Sequence, residues 1–219
     1  MNRRRARILA RTAAYYSERL REHGETARGV DWNSERSQML RFDQLLRLVE
    51  PTAEEAFSLN DYGCGYGALV EHLARRELEV RYCGYDLSKE MIDSARQRYA
   101  GCDSCYFTTE SNDLRAADFT VASGVFNVKQ EVTDREWLRY LFDGLDRLHV
   151  LSTRGFAFNV LTLDSDPGRR ERHLFYADPL TLLEHCRLRY SRWVALLQDY
   201  GLYEFTIIVR RDDNRKWPS

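Results

Sequence analysis

The sequence predicts an α/β fold built on a doubly wound, mostly parallel sheet, and three observations carry that prediction. Strand-like and helix-like segments alternate from residue 56 onward, the pattern of parallel strands joined by right-handed helical crossovers. Gly63, Gly65 and Gly67 occupy alternate positions in "LNDYGCGYGAL", where the first strand gives way to a helix. Doubly wound sheets bind ligands at such a carboxyl end. The last two strand-like segments are separated only by "DYGLY", too short for a parallel crossover, so the sheet closes with an antiparallel strand.

Each element has a local reason. Residues 1–50 read as a helical leader and residues 51–219 as the α/β domain, with Pro51 at the boundary. In the leader, Met39, Phe42, Leu45, Leu46 and Val49 share one helical face. An amphipathic helix therefore ends near Glu50, with Asn33 or Ser34 as its cap. One turn back, that face reaches Gln38 and Glu35: either the stripe emerges into solvent there, or these groups face a polar pocket.

Strands follow over 56–61, 79–86, 105–110, 118–126 and 155–162, and helices over 68–76, 88–100 and 134–151. Ser88 caps the second of these helices, with Glu90 in its first turn. "YADP" reads as a turn into a further helix, with Asp178 as cap and Pro179 at the first position. "RWVALLQ" and "EFTIIVRR" are the final strands.

Composition narrows the function classes. The 219 residues are 43% hydrophobic and 31% charged, with a net charge of −1, so no global basic field draws in nucleic acid. No apolar run reaches the roughly 18 residues that span a bilayer. The basic start "MNRRRARILARTAAYY" lacks a signal-peptide apolar core and reads as a basic helix face more simply than as a transit peptide. A cytoplasmic protein is expected. The five cysteines are odd in number, so no disulfide framework is expected. Cys102 and Cys105 form a C-x-x-C, the pattern of half a zinc site or of a redox pair; with no second pair or histidine pair after it and no helix opened at a strand end, it reads as an incidental loop pair and not a metal site.

The glycine turn points to a particular ligand chemistry. Its spacing is G-x-G-x-G, not the G-x-G-x-x-G of dinucleotide binders. Asp61 precedes the first glycine, where an anion would repel a pyrophosphate. Asp86 ends the second strand, 19 positions after Gly67, where an acid that grips ribose hydroxyls is expected. A nucleoside with a cationic, amino-rich arm and no phosphate satisfies all of this, and S-adenosylmethionine is such a molecule.

"DYGCGYG" followed by "GYDLSKEMI" resembles the cofactor signature of class I S-adenosylmethionine-dependent methyltransferases, over roughly Phe57 to Thr162. The resemblance implies a Rossmann-like methyltransferase fold with a seven-stranded sheet, an antiparallel C-terminal strand and an N-terminal helical lid. It implies S-adenosylmethionine as cofactor, with Asp61, Gly63, Gly65 and Gly67 bordering the methionine portion and Asp86 holding the ribose hydroxyls. Leu87 and Met91 would flank the adenine. Asn112 or Asp113 would meet the adenine amine, with Glu110 and Asp118 as competing third-strand acids, and "SGVFN", including Ser123, would line the methyl-transfer side. Under the lid, Gln38 would face the cofactor and Arg41 would pair with the methionine carboxylate, a solvated arginine on a charged helix being the alternative for Arg41. Tyr15, Tyr16 and Trp32 would build an aromatic wall near the sulfonium; ordinary core packing is the alternative for each.

The expected activity is methyl transfer to an acceptor, a small molecule since there is no added domain to grip a macromolecule. Methyl transfer from a sulfonium is an in-line displacement governed by positioning, and a base helps only where the acceptor loses a proton. Candidate acceptor contacts are Asn127 after the fourth strand, and His173 and Tyr176 in the polar "TLDSDPGRRERHLFYADP". For His173 a solvated loop histidine is the alternative. Other outcomes compete: aminocarboxypropyl transfer or cyclisation on the same cofactor, a non-catalytic binding subunit, and, last, a nicotinamide oxidoreductase.

Overall fold

The computed structural model describes residues 3–49 and 56–211; Pro51 and Glu50 lie outside the described residues. The central sheet runs β3-β2-β1-β4-β5-β8-β7, formed by β1 (Phe57–Tyr62), β2 (Val80–Tyr85), β3 (Cys105–Thr108), β4 (Ala117–Ala122), β5 (Ser152–Thr162), β7 (Val194–Leu197) and β8 (Glu204–Arg210). Strands β1 to β5 are parallel, and β8 runs antiparallel to both β5 and β7. The order reverses between β1 and β4, and Asp61 pairs with Gly84 on one side and Val121 on the other. The carboxyl ends of β1, β2 and β4 therefore lie together, the crevice position of a doubly wound sheet. A two-residue eighth strand, β6 (Tyr176–Ala177), pairs with β5 and was not foreseen.

The antiparallel strand does not sit at the edge. β8 threads between β5 and β7, because six of its residues, Glu204 to Val209, are buried, whereas all of β7 is half-exposed. The strand able to fill both faces takes the interior, and the half-polar one becomes the edge.

Helices cover both faces. α2 (Glu35–Leu46), α3 (Ala68–Arg75) and α4 (Lys89–Arg98) pack Leu45, Leu46, Leu73, Met91 and Ile92 against Phe57 and Leu59. On the other face, α5 (Asp134–Val150) and α6 (Pro179–Arg189) pack Trp137, Leu141, Leu145 and Leu182 against Phe158 and Ile207. Ser34 caps α2 through a capping box with Ser37, Ser88 caps α4, and Asp178 caps α6 with Pro179 at its start. These are the residues whose side-chain oxygens can satisfy orphan amides. Strands β3 and β4 stop earlier than their hydrophobic runs, at Thr108 and Ala122, and β5 starts earlier, at Ser152. The residues after β4 turn away to line a cleft, and Ser152 is drawn into β5 by pairing with Ala117.

The leader forms α1 (Arg3–His23) and a short 3-10 turn before α2. α1 docks on α4: the Ser17 and Ser88 hydroxyls are 2.8 Å apart, and Ser17 and Arg21 both donate to Glu90 at 2.8 Å. No helix among the described residues is long and apolar enough to cross a membrane. Cys102 and Cys105, read as an unlinked loop pair, are joined as a disulfide, their Cα atoms 5.4 Å apart across the turn into β3. A three-residue spacing on a turn brings the two side chains within bridging range.

The interior place of β8 makes a stability prediction. Ile207 is fully buried in β8, whereas Leu188 on α6 is 82% exposed. Ile207→Ala should cost about 2–5 kcal/mol and Leu188→Ala less than about 0.5 kcal/mol in urea unfolding. Equal, small losses would place β8 at an edge.

Candidate functional site

The glycine turn is as bare as its spacing demands. Gly63, Gly65 and Gly67 have φ of +87°, +55° and +82°, conformations that only glycine adopts without strain. A Cβ on Gly63 would stand 2.4 Å from Val125 Cγ2, and one on Gly65 2.8 Å from Val30 Cγ1. The N–H groups of Gly63 and Cys64 both donate to the Tyr85 carbonyl, at 2.7 and 3.0 Å. Thus the turn is bolted to the tip of β2.

Asp86 completes that attachment. One carboxylate oxygen accepts the Gly65 N–H at 2.9 Å and the other accepts the Ser88 N–H at 2.9 Å. Burial pushes its pKa up, while those amides pull it back. The half-exposed carboxylate is thereby aimed at the cleft with lone pairs left for further donors. Asp61 is buried and accepts the Tyr82 hydroxyl at 2.7 Å. Desolvation raises its carboxyl to about 7, against the Tyr82 hydrogen bond and with the help of the nearby Asp86 charge.

These groups open onto a single cleft. The leader supplies one wall through Thr12, Tyr16, Val30, Trp32, Gln38 and Phe42. Opposite stand Asp61, Gly63, Gly65, Asp86, Leu87 and Met91, with Ser123 and Val125 beyond the tip of β4; Gly67, expected beside them, lies outside the cleft wall, against Tyr99 and Phe107. Of the two readings of the α2 stripe, Glu35 emerges into solvent, whereas Gln38 is buried at the cleft and hydrogen-bonded to Tyr66.

Other candidates stand elsewhere. Arg41 does not line the cleft: its Nε donates to Glu204 at 2.8 Å, and its guanidinium lies 3.8 Å from the Trp32 ring centre. A buried carboxylate within reach captures the guanidinium before any ligand could. Tyr15 points away, donating to Asp31 at 2.8 Å. Asn112 and Asp113 are exposed and absent from the cleft wall; Asp113 accepts the Thr108 hydroxyl at 2.8 Å. Of their competitors, Glu110 is exposed, and Asp118 ties β4 to β1 by accepting from the Ser58 amide and hydroxyl.

Asn127 is buried and accepts the Leu161 N–H at 3.3 Å, a structural use of its carbonyl. Tyr176 accepts the Glu171 N–H at 3.0 Å, and His173 lies in a separate surface groove, 3.5 Å from Glu171. Neither lines the cleft, because β6 draws its segment onto the carboxyl end of β5, beside Leu161 and Thr162.

Three tyrosines of the cleft, Tyr62, Tyr85 and Tyr140, escaped the sequence reading. A signal existed for two: Tyr62 follows Asp61 and Tyr85 precedes Asp86, so strand alternation turns both toward the α5 face, where their rings lie 4.9 Å apart. Nothing local marks Tyr140, whose place depends on how α5 packs.

Comparison with known proteins gives the chain relatives in sequence and in fold. Residues 60–145 match the family described as Methyltransferase domain. The protein named "Putative methyltransferase Rv1506c" of Mycobacterium tuberculosis is 47% identical over 166 residues, 76% of this chain and 99% of that protein. Among solved structures, the N-methyltransferase NodS from Bradyrhizobium japonicum, in complex with S-adenosyl-L-homocysteine, superimposes with a TM-score of 0.62 at 18% identity, over 92% of this chain and 99% of that one. The magnesium protoporphyrin IX methyltransferase of Synechocystis with bound SAM gives a TM-score of 0.58 at 15% identity, over 80% of each chain.

The buried Asp61 has a testable pH signature. Its carboxyl titrates near about 3.9 when unfolded and at about 7 when folded. Between those values the folded state holds a proton that the unfolded state has lost, so this group's contribution to stability falls as pH rises. Asp61→Asn removes that dependence and keeps an acceptor for Tyr82. The variant should gain roughly 2–3 kcal/mol on the wild type between pH 5 and pH 8 in urea titrations. Parallel pH profiles would mean that Asp61 ionises as freely as in water.

Proposed function

The chain belongs to the class I S-adenosylmethionine-dependent methyltransferases, and from that premise we propose that it transfers a methyl group to a small-molecule acceptor by in-line displacement. One observation carries the cofactor assignment. The cleft wall presents two carboxylates, Asp61 and Asp86, beside a bare backbone turn, and includes no lysine, arginine or histidine among the described residues. A phosphate-bearing dinucleotide would find no cation there. A ligand with a ribose, an ammonium, a sulfonium and no phosphate meets each feature with a complementary one.

In this reading S-adenosylmethionine supplies the reactive methyl group. Asp86, oriented by the Gly65 and Ser88 amides, accepts the two ribose hydroxyls. Asp61 faces the ammonium of the methionine arm, which favours its ionised form. The bare edges of Gly63 and Gly65 let that arm lie against the main chain, and Leu87 and Met91 border the adenine. Gln38 closes the arm from the lid side.

What the chain contributes to the transfer is position and dryness. The leader and the residues beyond β4 wall the cleft on opposite sides, and an acceptor bound between them would be positioned against the cofactor and partly shielded from water. Asp61 and Asp86 are the carboxylates of the wall among the described residues, and both serve the cofactor. The acceptor's reacting atom therefore carries its own lone pair. The leader acts as a lid, and a cleft walled on both sides suits a small acceptor better than a polymer.

Calorimetric titration with S-adenosylmethionine and S-adenosylhomocysteine tests the assignment. Both should bind with micromolar-order affinity. Asp86→Ala should weaken binding at least about a hundredfold, since it removes two charge-assisted hydrogen bonds and the anchor of the turn. Full affinity in the variant would refute the ribose role. Incubation with candidate acceptors, read by mass spectrometry, should give products heavier by one methylene; transfer of the amino-acid arm instead would overturn methylation.

A further inference from the structure

A closed circuit of contacts runs behind the cleft and joins the leader to the sheet. Glu204, fully buried at the start of β8, accepts from Arg41 of α2 at 2.8 Å. The Arg41 guanidinium, itself buried, lies 3.8 Å from the Trp32 ring centre. Trp32 packs so closely on Gly124 that a Cβ there would stand 2.5 Å from the indole. The Gly124 N–H donates to Asn159 Oδ1 at 2.7 Å. Asn159 Nδ2 then donates to the other Glu204 oxygen at 3.4 Å and reaches the Ser123 hydroxyl at 3.5 Å. Five residues from four chain segments close the circuit, and three cleft residues hang on it: Trp32, Ser123 and Gly124.

We propose that Arg41, Glu204 and Asn159 are positioning residues that latch the leader onto the β4 tip, holding Trp32 and the Ser123–Gly124 turn as one rigid wall of the cofactor cleft. The function of that wall rests on the cofactor assignment above; its geometry does not. Three features separate a latch from ordinary packing. Both charges are buried, so each depends on the other. The carboxylate gives one oxygen to Arg41 of the leader and the other to Asn159 of the sheet, with the Tyr200 hydroxyl as a further donor to it, so it ties the leader to the sheet side. Gly124 is the only residue type that admits the indole at this distance. Cutting the circuit frees Trp32 to leave Gly124 and loosens the wall, and the ligand escapes faster.

The test removes both charges together, because either alone would leave an unpaired buried ion. Arg41→Met/Glu204→Leu is compared with the wild type after 5-fluorotryptophan labelling, with Trp32→Phe assigning the Trp32 fluorine resonance. Without any ligand, that resonance should shift and broaden in the double variant, while the other tryptophan resonances stay in place. S-adenosylhomocysteine should bind about tenfold more weakly, through faster dissociation, with the thermal midpoint unchanged or raised. Arg41→Lys, which keeps the charge but loses the planar stack on the indole, should fall between the two.

An unmoved Trp32 resonance overturns the latch. A moved resonance with unchanged affinity overturns its role at the cleft. A lowered midpoint with unchanged affinity in the folded fraction shows a structural pair only. Failure of the wild type to bind S-adenosylhomocysteine would instead undo the cofactor assignment, leaving the fluorine result to decide the latch.

Discussion

The site depends on one attachment, the bonding of the glycine turn to the tip of β2. The Tyr85 carbonyl takes two consecutive amides of the turn, and Asp86 takes the third through its carboxylate. That pattern requires a left-handed backbone at alternate residues, which is why glycine recurs every second position. It also fixes Asp86 without a side-chain partner, so the carboxylate is aimed but not neutralised. Were the turn to carry side chains, Val125 and Val30 could not approach. The wall beyond β4 and the leader would then lose their seats together.

The second consequence concerns the leader. α2 is no appendage: Phe42, Leu45 and Leu46 share a core with β1, α3 and α4. α1 is held by polar contacts, those of Ser17 and Arg21 on the α4 cap and of Tyr15 and Arg19 on Asp31, and by apolar ones, with Ile8 buried in the core of the α5 face and Tyr16 and Leu20 packed on the core of the other. The exposed ion pairs among them contribute little each, whereas the Ser17 and Ser88 hydroxyls meet in a buried contact. Both leader helices thus reach the core.

How much of this could be read from the sequence follows from the range of the forces involved. Caps, glycine turns and strand alternation act within a few residues, so Ser34, Ser88, Asp178, the three glycines and Asp86 stand where the chain alone puts them. The short link before the last strand announced an antiparallel pair. It did not announce that β8 would lie inside β7, since that outcome turns on which strand buries better against helices far away in sequence. Arg41 shows the same limit more sharply. Its helix face pointed it toward a ligand, but the nearest carboxylate is Glu204, 163 residues later, and no local pattern joins them. Asn112 and Asp113 failed for the opposite reason: β3 ends at Thr108, and the intervening turn sets them in solvent.

A buried ion pair behind a binding cleft calls for a reason, because apolar residues of like volume are usually as stable or more so. Stability is therefore a poor account of Arg41 and Glu204. Direction is a better one. A leucine pair would permit α2 to slide along the sheet in small steps with little penalty, since dispersion is nearly isotropic. A carboxylate shared between a guanidinium and an amide has narrow geometric minima, and a slide of one ångström breaks both bonds and strands a charge. The indole between Arg41 and Gly124 turns that angular precision into the placement of a cleft wall. In a reaction where the protein's contribution is to hold two partners in line, such placement is worth more than the few kcal/mol that a greasy contact in the same space would add.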